Sequence, residues 1–131
     1  MMKSFLTLGA LFAGLGVIIG AFGAHALKSK LSPEHLQTFE TGVRYQMYHS
    51  LALIFVFLLS QKLNSSLLNY SGIFFVAGII MFSGSVYLLA CREIFGIESW
   101  KSILGPITPL GGLCFIIGWI CMITASIKKL V

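Results

Sequence analysis

The sequence predicts an all-α integral membrane four-helix bundle, with a short amphipathic interfacial helix between its first two spans. Three observations carry that prediction. The 131-residue chain is 57% hydrophobic and only 10% charged, whereas soluble domains carry about a quarter charged residues. So little polar material cannot wet a globular surface, and a bilayer is the solvent that fits. The charged residues gather at the ends of long apolar stretches, and within those stretches small residues recur at helical spacing, which lets one helix lie closely on another.

The first span is predicted over about residues 5–27, a run without Asp, Glu, Lys or Arg and long enough to cross hydrocarbon. Lys3 and the Ala24-His25-Ala26 string give it some likeness to a cleaved leader. The apolar run is longer than a leader's core, and Gly9, Ala13, Gly16, Gly20 and Gly23 form a packing stripe that a discarded segment does not need. Retention is therefore expected.

Ser32-Pro33-Glu34 supplies a helix start: a capping hydroxyl, proline at the first helical position and an acid at the positive end of the helix. Leu36, Phe39, Val43 and Met47 recur at helical intervals, so an amphipathic interfacial helix is expected over about 33–45. The second span is expected over 46–62, which sets Tyr45, Tyr48 and His49 near one headgroup layer. The third covers about 67–91, with Ser71, Phe75, Gly78, Phe82 and Ser85 alternating small and large along one seam. Thr108-Pro109 repeats the hydroxyl-then-proline entry, so the fourth span is expected over 107–127, striped by Gly111, Cys114, Gly118 and Cys121.

Four spans put both termini on one side. That side carries Lys3, Lys62, Lys128 and Lys129, against Lys28, Lys30, Arg44, Arg92 and Lys101 on the other. The balance barely discriminates under the positive-inside rule; with every glutamate on the second side, the expectation is a cell-membrane protein with cytoplasmic termini. A faint echo of Gly20–Gly23 in Met81–Gly84 is too slight to establish an internal repeat.

Several function classes are disfavoured. The net charge of +5 is dispersed, without the basic run that nucleic acid calls for; membrane lipids are the expected partners, with self-association or another membrane protein through the glycine stripes as a further one. Three cysteines without CxxC spacing make neither a disulfide framework nor a zinc site. Seven residues of helix between Cys114 and Cys121 rise about 10 Å, too far for a disulfide. The chain has no GxxxxGK, HExxH or GxSxG string and no aspartate, so neither a common enzyme nor an ion pump is expected, and no metal or cofactor is assigned.

The polar residues gather between Gly20 and Leu53, which holds all three histidines. His25, His35, Glu40, Arg44, Tyr45, Gln46 and His49 form the predicted polar junction. His25 and His49, at the exit of one span and the entrance of the next, are expected at similar depth. They are the candidates for holding a haem, metal or quinone, against a plainer role in pinning the corner by hydrogen bonds. Glu40 and Arg44 stand at i,i+4 in the favourable order for an ion pair; the alternative is that they clamp a lipid headgroup or a quinone ring, and Arg44 could bind a lipid phosphate through its fork of donors. The glycine positions Gly9, Gly16, Gly20, Gly23, Gly78, Gly111 and Gly118, with Cys114 and Cys121, are expected to pack helices.

The strings GAFGAHAL (Gly20–Leu27), TGVRYQMYHSLAL (Thr41–Leu53), FSGSVYLL (Phe82–Leu89) and GPITPLGGLCFIIGW (Gly105–Trp119) resemble the small membrane proteins called domain of unknown function 423, or uncharacterised protein family 0382. The resemblance implies a four-span membrane protein and brings no reaction, substrate, cofactor or catalytic residue. The loop around 92–103 is longer and more polar than those strings require. The expected function is a non-enzymatic part in membrane integrity or homeostasis through lipid or protein packing. A ligand or redox-cofactor binder at the His25/His49 junction is the second expectation, and a small-solute transporter the third.

Overall fold

A computed structural model of the chain describes residues 1–130, with side chains through Lys128. Helix α1 is Met2–His25, α2 Pro33–Ser60, α3 Ser66–Gly78, α4 Gly84–Ala90 and α5 Lys101–Leu130. A π-helical turn, Ile79–Ser83, joins α3 to α4, so the two continue one another as a single third span, Ser66–Ala90. Among the described residues four helices are long and apolar enough to cross a membrane, and the all-α four-helix bundle expected from the sequence is the fold observed.

Two element boundaries differ from expectation. The segment 33–45 is the first half of α2 rather than a separate interfacial helix. Ser32 Oγ accepts from the His35 backbone N–H at 3.2 Å, as its capping role requires. Beyond that start no proline interrupts the helix, and the one internal glycine, Gly42, sits buried against Val86 and Tyr87. Helix α5 begins at Lys101, ahead of both Pro106 and Pro109. Thr108 therefore does not cap a helix start; its hydroxyl donates back to the Leu104 carbonyl at 3.1 Å.

Helix α2 is central. It lies on α1 along one side and on α3, the π turn and α4 along another, while α5 packs on the third span and α1 stands at the opposite edge. The α1 glycines set the first seam. Gly9 faces the Ser50 carbonyl and Leu53, Gly16 faces Gln46 and Met47, Gly20 faces Val43, and Gly23 faces the Phe39 ring. A Cβ on Gly9 would stand 2.8 Å from the Ser50 oxygen, closer than van der Waals contact allows. The GxxxG pair Gly16–Gly20 is thus occupied within the chain.

The second seam joins the third span to α5. Phe115 fills the space a side chain at Gly78 would take, Phe75 fills that at Gly118, and the backbone of Phe82 lies against Gly111. Ser71 Oγ donates to the Gly118 carbonyl at 2.8 Å, fastening the same seam. The expected alternation of small and large residues from Ser71 to Ser85 interdigitates as read. Cys114 and Cys121 are only half-buried and free; the α5 side chain set against Gly78 is Phe115.

Candidate functional site

The seven residues of the predicted polar junction separate. His25 is exposed at the end of α1, and His35 is half-buried near the start of α2. The register that pairs Gln46 with Phe12 sets His49 deep along α2, and His25 stands thirteen residues of α1 beyond Phe12, about 20 Å along the helix. The expected convergence of the two imidazoles is not formed, because α2 starts at Pro33 and runs a long way before reaching His49. Among the described residues no cluster of three or more His, Cys, Asp or Glu could hold a metal ion. Glu40 and Arg44 are both exposed, and the ion pair among the described residues is Arg92 to Glu98 at 3.3 Å instead.

Two junction residues turn inward, to different ends. Gln46, 3% exposed, donates from Nε2 to the Phe12 carbonyl at 2.8 Å and accepts at Oε1 from the Tyr87 hydroxyl at 2.6 Å. One amide thereby ties α1, α2 and α4 together. Ser83, in the π turn, adds a bond to the Gly42 carbonyl at 2.8 Å. Buried polar atoms are costly unless paired, and here the pairing falls between helices.

His49 faces the other way, towards α5. Its Nε2 accepts from Trp119 Nε1–H at 3.1 Å, and its Nδ1 lies 2.7 Å from the Tyr45 carbonyl. An indole can only donate and a carbonyl can only accept, so the geometry specifies the neutral imidazole with its proton on Nδ1. The ring stacks on Phe115, centroids 3.5 Å apart at 11°, with Phe75 and Trp119 at its edges. Both nitrogens are engaged, so His49 has no site left for iron or another ligand without first giving up a partner.

Around this pair lies a groove of about 1010 Å³. Tyr45, Tyr48 and His49 of α2 form one wall, and Pro109, Phe115 and Trp119 of α5 stand in the other. Tyr48, Leu113 and Ile116 on its rim are exposed, so it opens on the flank of the bundle, between two helices long and apolar enough to cross a membrane. Helices α2 and α5 lack the close backbone approach that joins the other neighbours; rings hold them apart. The Tyr45 ring is tilted against its neighbours Phe82 and Tyr48, with centroids at 4.8 and 5.9 Å.

Trp119 and Phe115 were not singled out as site residues by sequence reasoning. The signal available was Trp119 itself: an indole well inside an apolar run carries an N–H that needs an acceptor, and His49 was the unassigned acceptor. A smaller hollow of about 370 Å³ lies at the other end of the bundle beside Asn64 and Asn69; the Asn69 Oδ1 there is buried without a partner among the described residues.

Comparison with known proteins agrees with this architecture. A family profile described as protein of unknown function (DUF423) matches residues 19–112. The chain is 47% identical over 130 residues to the UPF0382 membrane protein YwdK of Bacillus subtilis (strain 168), covering 98% of this chain and all of that one. It is 46% identical to the UPF0382 membrane protein SAB0533 of Staphylococcus aureus (strain bovine RF122 / ET3-1), over 97% and 98% of the two chains. A third relative, SH2409 of Staphylococcus haemolyticus (strain JCSC1435), is 43% identical over the same shares. No solved structure matches.

Proposed function

Since the chain belongs to the DUF423 family of membrane proteins, we propose that it acts without catalysing a reaction, supporting membrane integrity by holding a lipophilic molecule in the groove between α2 and α5. The observation that supports this is the groove's position and lining: it opens on the bundle's flank between two spanning helices, its walls are rings and aliphatic side chains, and its one imidazole is already fully hydrogen-bonded. Apolar concave sites with few placed polar groups are where lipophiles bind. A redox-cofactor reading centred on His25 and His49 has no such support, because the two rings stand apart. We place the protein in the cell membrane with cytoplasmic termini; a reporter at the C-terminus that is active only outside the cytoplasm would reverse that orientation.

The test is retention. Gly112 lines the groove, and a Cβ there meets nothing nearer than the Phe82 ring at 3.9 Å, so Gly112→Leu fills the groove without striking backbone. Native mass spectrometry of protein extracted in mild detergent is expected to find a lipophile bound to the parent chain and markedly less on Gly112→Leu. Equal retention by both would overturn the proposal. In cells, loss of the gene is expected to change membrane permeability or lipid profile, and Gly112→Leu is expected to restore less than the parent does.

A further inference from the structure

The groove has an unequal top and bottom. One turn before Tyr48, on the same face of α2, stands Arg44, and one turn before that Glu40; all three are exposed. Residues four apart share a face and step about 6 Å along the axis. Each step also turns about 40°, so from outside inwards the exposed side of α2 presents a carboxylate, a guanidinium and, about 80° round from the carboxylate, the Tyr48 rim of the groove.

Glu40 and Arg44 have the spacing and order of an ion pair yet do not form one. Arg44 Nη2 donates to Thr41 Oγ1 at 3.2 Å, and neither charge has an ionic partner among the described residues. A guanidinium has five N–H donors, so most of its capacity is unused. Arg44 stands sixteen residues of α2 from Ser60, about 24 Å of helix, so with Ser60 at one edge of a hydrocarbon layer about 30 Å thick it stands near the other edge. A charge near that edge gains from a partner, and the anion a bilayer supplies at that level is lipid phosphate.

We infer that this face is a binding site for a phospholipid whose headgroup is a phosphate bearing a primary ammonium, of the phosphatidylethanolamine class. An acyl chain lies in the groove along Tyr48 and Trp119, Arg44 holds the phosphate, and Glu40 receives the ammonium. The sequence of groups along the lipid matches the sequence of groups along the helix. Phosphatidylglycerol would meet Arg44 equally well but bring only a neutral glycerol to Glu40, leaving that carboxylate without a cation. A quaternary ammonium lacks the N–H donors that a carboxylate accepts, so choline is the weaker fit. The assignment rests on the lipid-binding reading of the groove.

Trp119 provides the measurement. The chain has two tryptophans, and Trp100 lies in the short 3-10 turn before α5, away from the groove; Trp100→Phe leaves Trp119 as the sole emitter. The protein is reconstituted into phosphatidylcholine vesicles in which a fixed fraction of lipid carries brominated acyl chains under an ethanolamine, choline or glycerol headgroup. Brominated phosphatidylethanolamine is expected to quench Trp119 with about a five-fold higher apparent affinity than phosphatidylcholine, the scale of one interfacial charge contact. Glu40→Gln is expected to shift the preference to the anionic phosphatidylglycerol, and Arg44→Gln to abolish all preference. Equal quenching by the three headgroups in the parent, or a lead for phosphatidylglycerol, would overturn the headgroup assignment while leaving the groove a lipid site. No quenching by any brominated chain would instead overturn the groove reading itself.

Discussion

Two of the bundle's seams are made from opposite materials. Between α1 and α2 the contact surface is glycine and a buried amide: Gly9, Gly16, Gly20 and Gly23 let the partner's side chains and backbone come close, and Gln46 bridges the gap. Between α2 and α5 it is rings: Tyr45 and His49 lean on Phe115 and Trp119, and no glycine draws the helices together. Lipid tails are as apolar as leucine, so membrane helices associate through close packing and interhelical hydrogen bonds rather than through the hydrophobic effect. The glycine seam satisfies both conditions and is closed. The aromatic seam satisfies the hydrogen bond alone, through His49 and Trp119, and remains open to lipid. A small membrane protein can thus keep a groove by propping one seam with rings while the others are fastened tight.

The largest expected effect breaks a closed seam. Gly111→Leu places a branched side chain where the Phe82 backbone lies, and backbone cannot rotate aside as a side chain does. A loss of about 3 kcal/mol is expected, the upper end of the usual overpacking range. Thermal denaturation in detergent, followed by size-exclusion chromatography, checks it; a variant as stable as the parent would mean that the third span and α5 are not locked as described.

Gln46→Leu comes next. It keeps the volume near α1 and removes the acceptor for Tyr87 and the donor to Phe12, an expected cost of about 2 kcal/mol for groups left unpaired. Adding Tyr87→Phe, which removes the orphaned hydroxyl, is expected to cost less than the two single losses summed, with coupling of about 1 kcal/mol. Strict additivity would show that the amide and the phenol act separately.

On the aromatic seam the analogous loss is smaller. Trp119→Phe leaves His49 Nε2 without its donor, but Trp119 is already 40% exposed. About 1 kcal/mol is expected, and His49→Phe in the same chain is expected to recover part of it, since removing both partners leaves no polar atom unpaired. If the double variant were less stable than Trp119→Phe alone, the stack on Phe115 would be the imidazole's main contribution rather than the hydrogen bond.

Much of this contrast was legible in the sequence, because close packing leaves a pattern. The glycines of the α1 and α5 stripes and the seam from Ser71 to Ser85 follow local periodicities, and the glycines Gly9, Gly16, Gly20, Gly23, Gly78, Gly111 and Gly118 meet the partner helix where they fall. The Ser32-Pro33 helix start was legible for the same reason, being a cap made within one turn. Register between helices was not. Whether His49 stands beside His25 or well below it depends on which residue of α1 faces Gln46, a nonlocal choice that no spacing within α2 records. Thr108-Pro109 misled in another way: its hydroxyl finds the Leu104 carbonyl inside a helix already running, where the same dipeptide at Ser32-Pro33 begins one. The groove itself has no motif, being the space left when bulky residues of two nonadjacent helices meet.

The smallest expected effect comes from the neighbour of the residue behind the largest. Gly112 follows Gly111 on α5 but turns to the groove, where an added Cβ meets only the Phe82 ring, at ordinary contact distance. Gly112→Ala is therefore expected to leave stability unchanged or to raise it by up to about 1 kcal/mol, the helix-propensity difference between the two residues. Gly111→Ala, one position away, drives a methyl into the Phe82 backbone and is expected to lower stability as surely as the leucine variant does, if less. The pair differs in nothing but the seam each glycine faces. Matching melting temperatures for the two alanine variants would erase the distinction between a seam that is closed by contact and one that is held open.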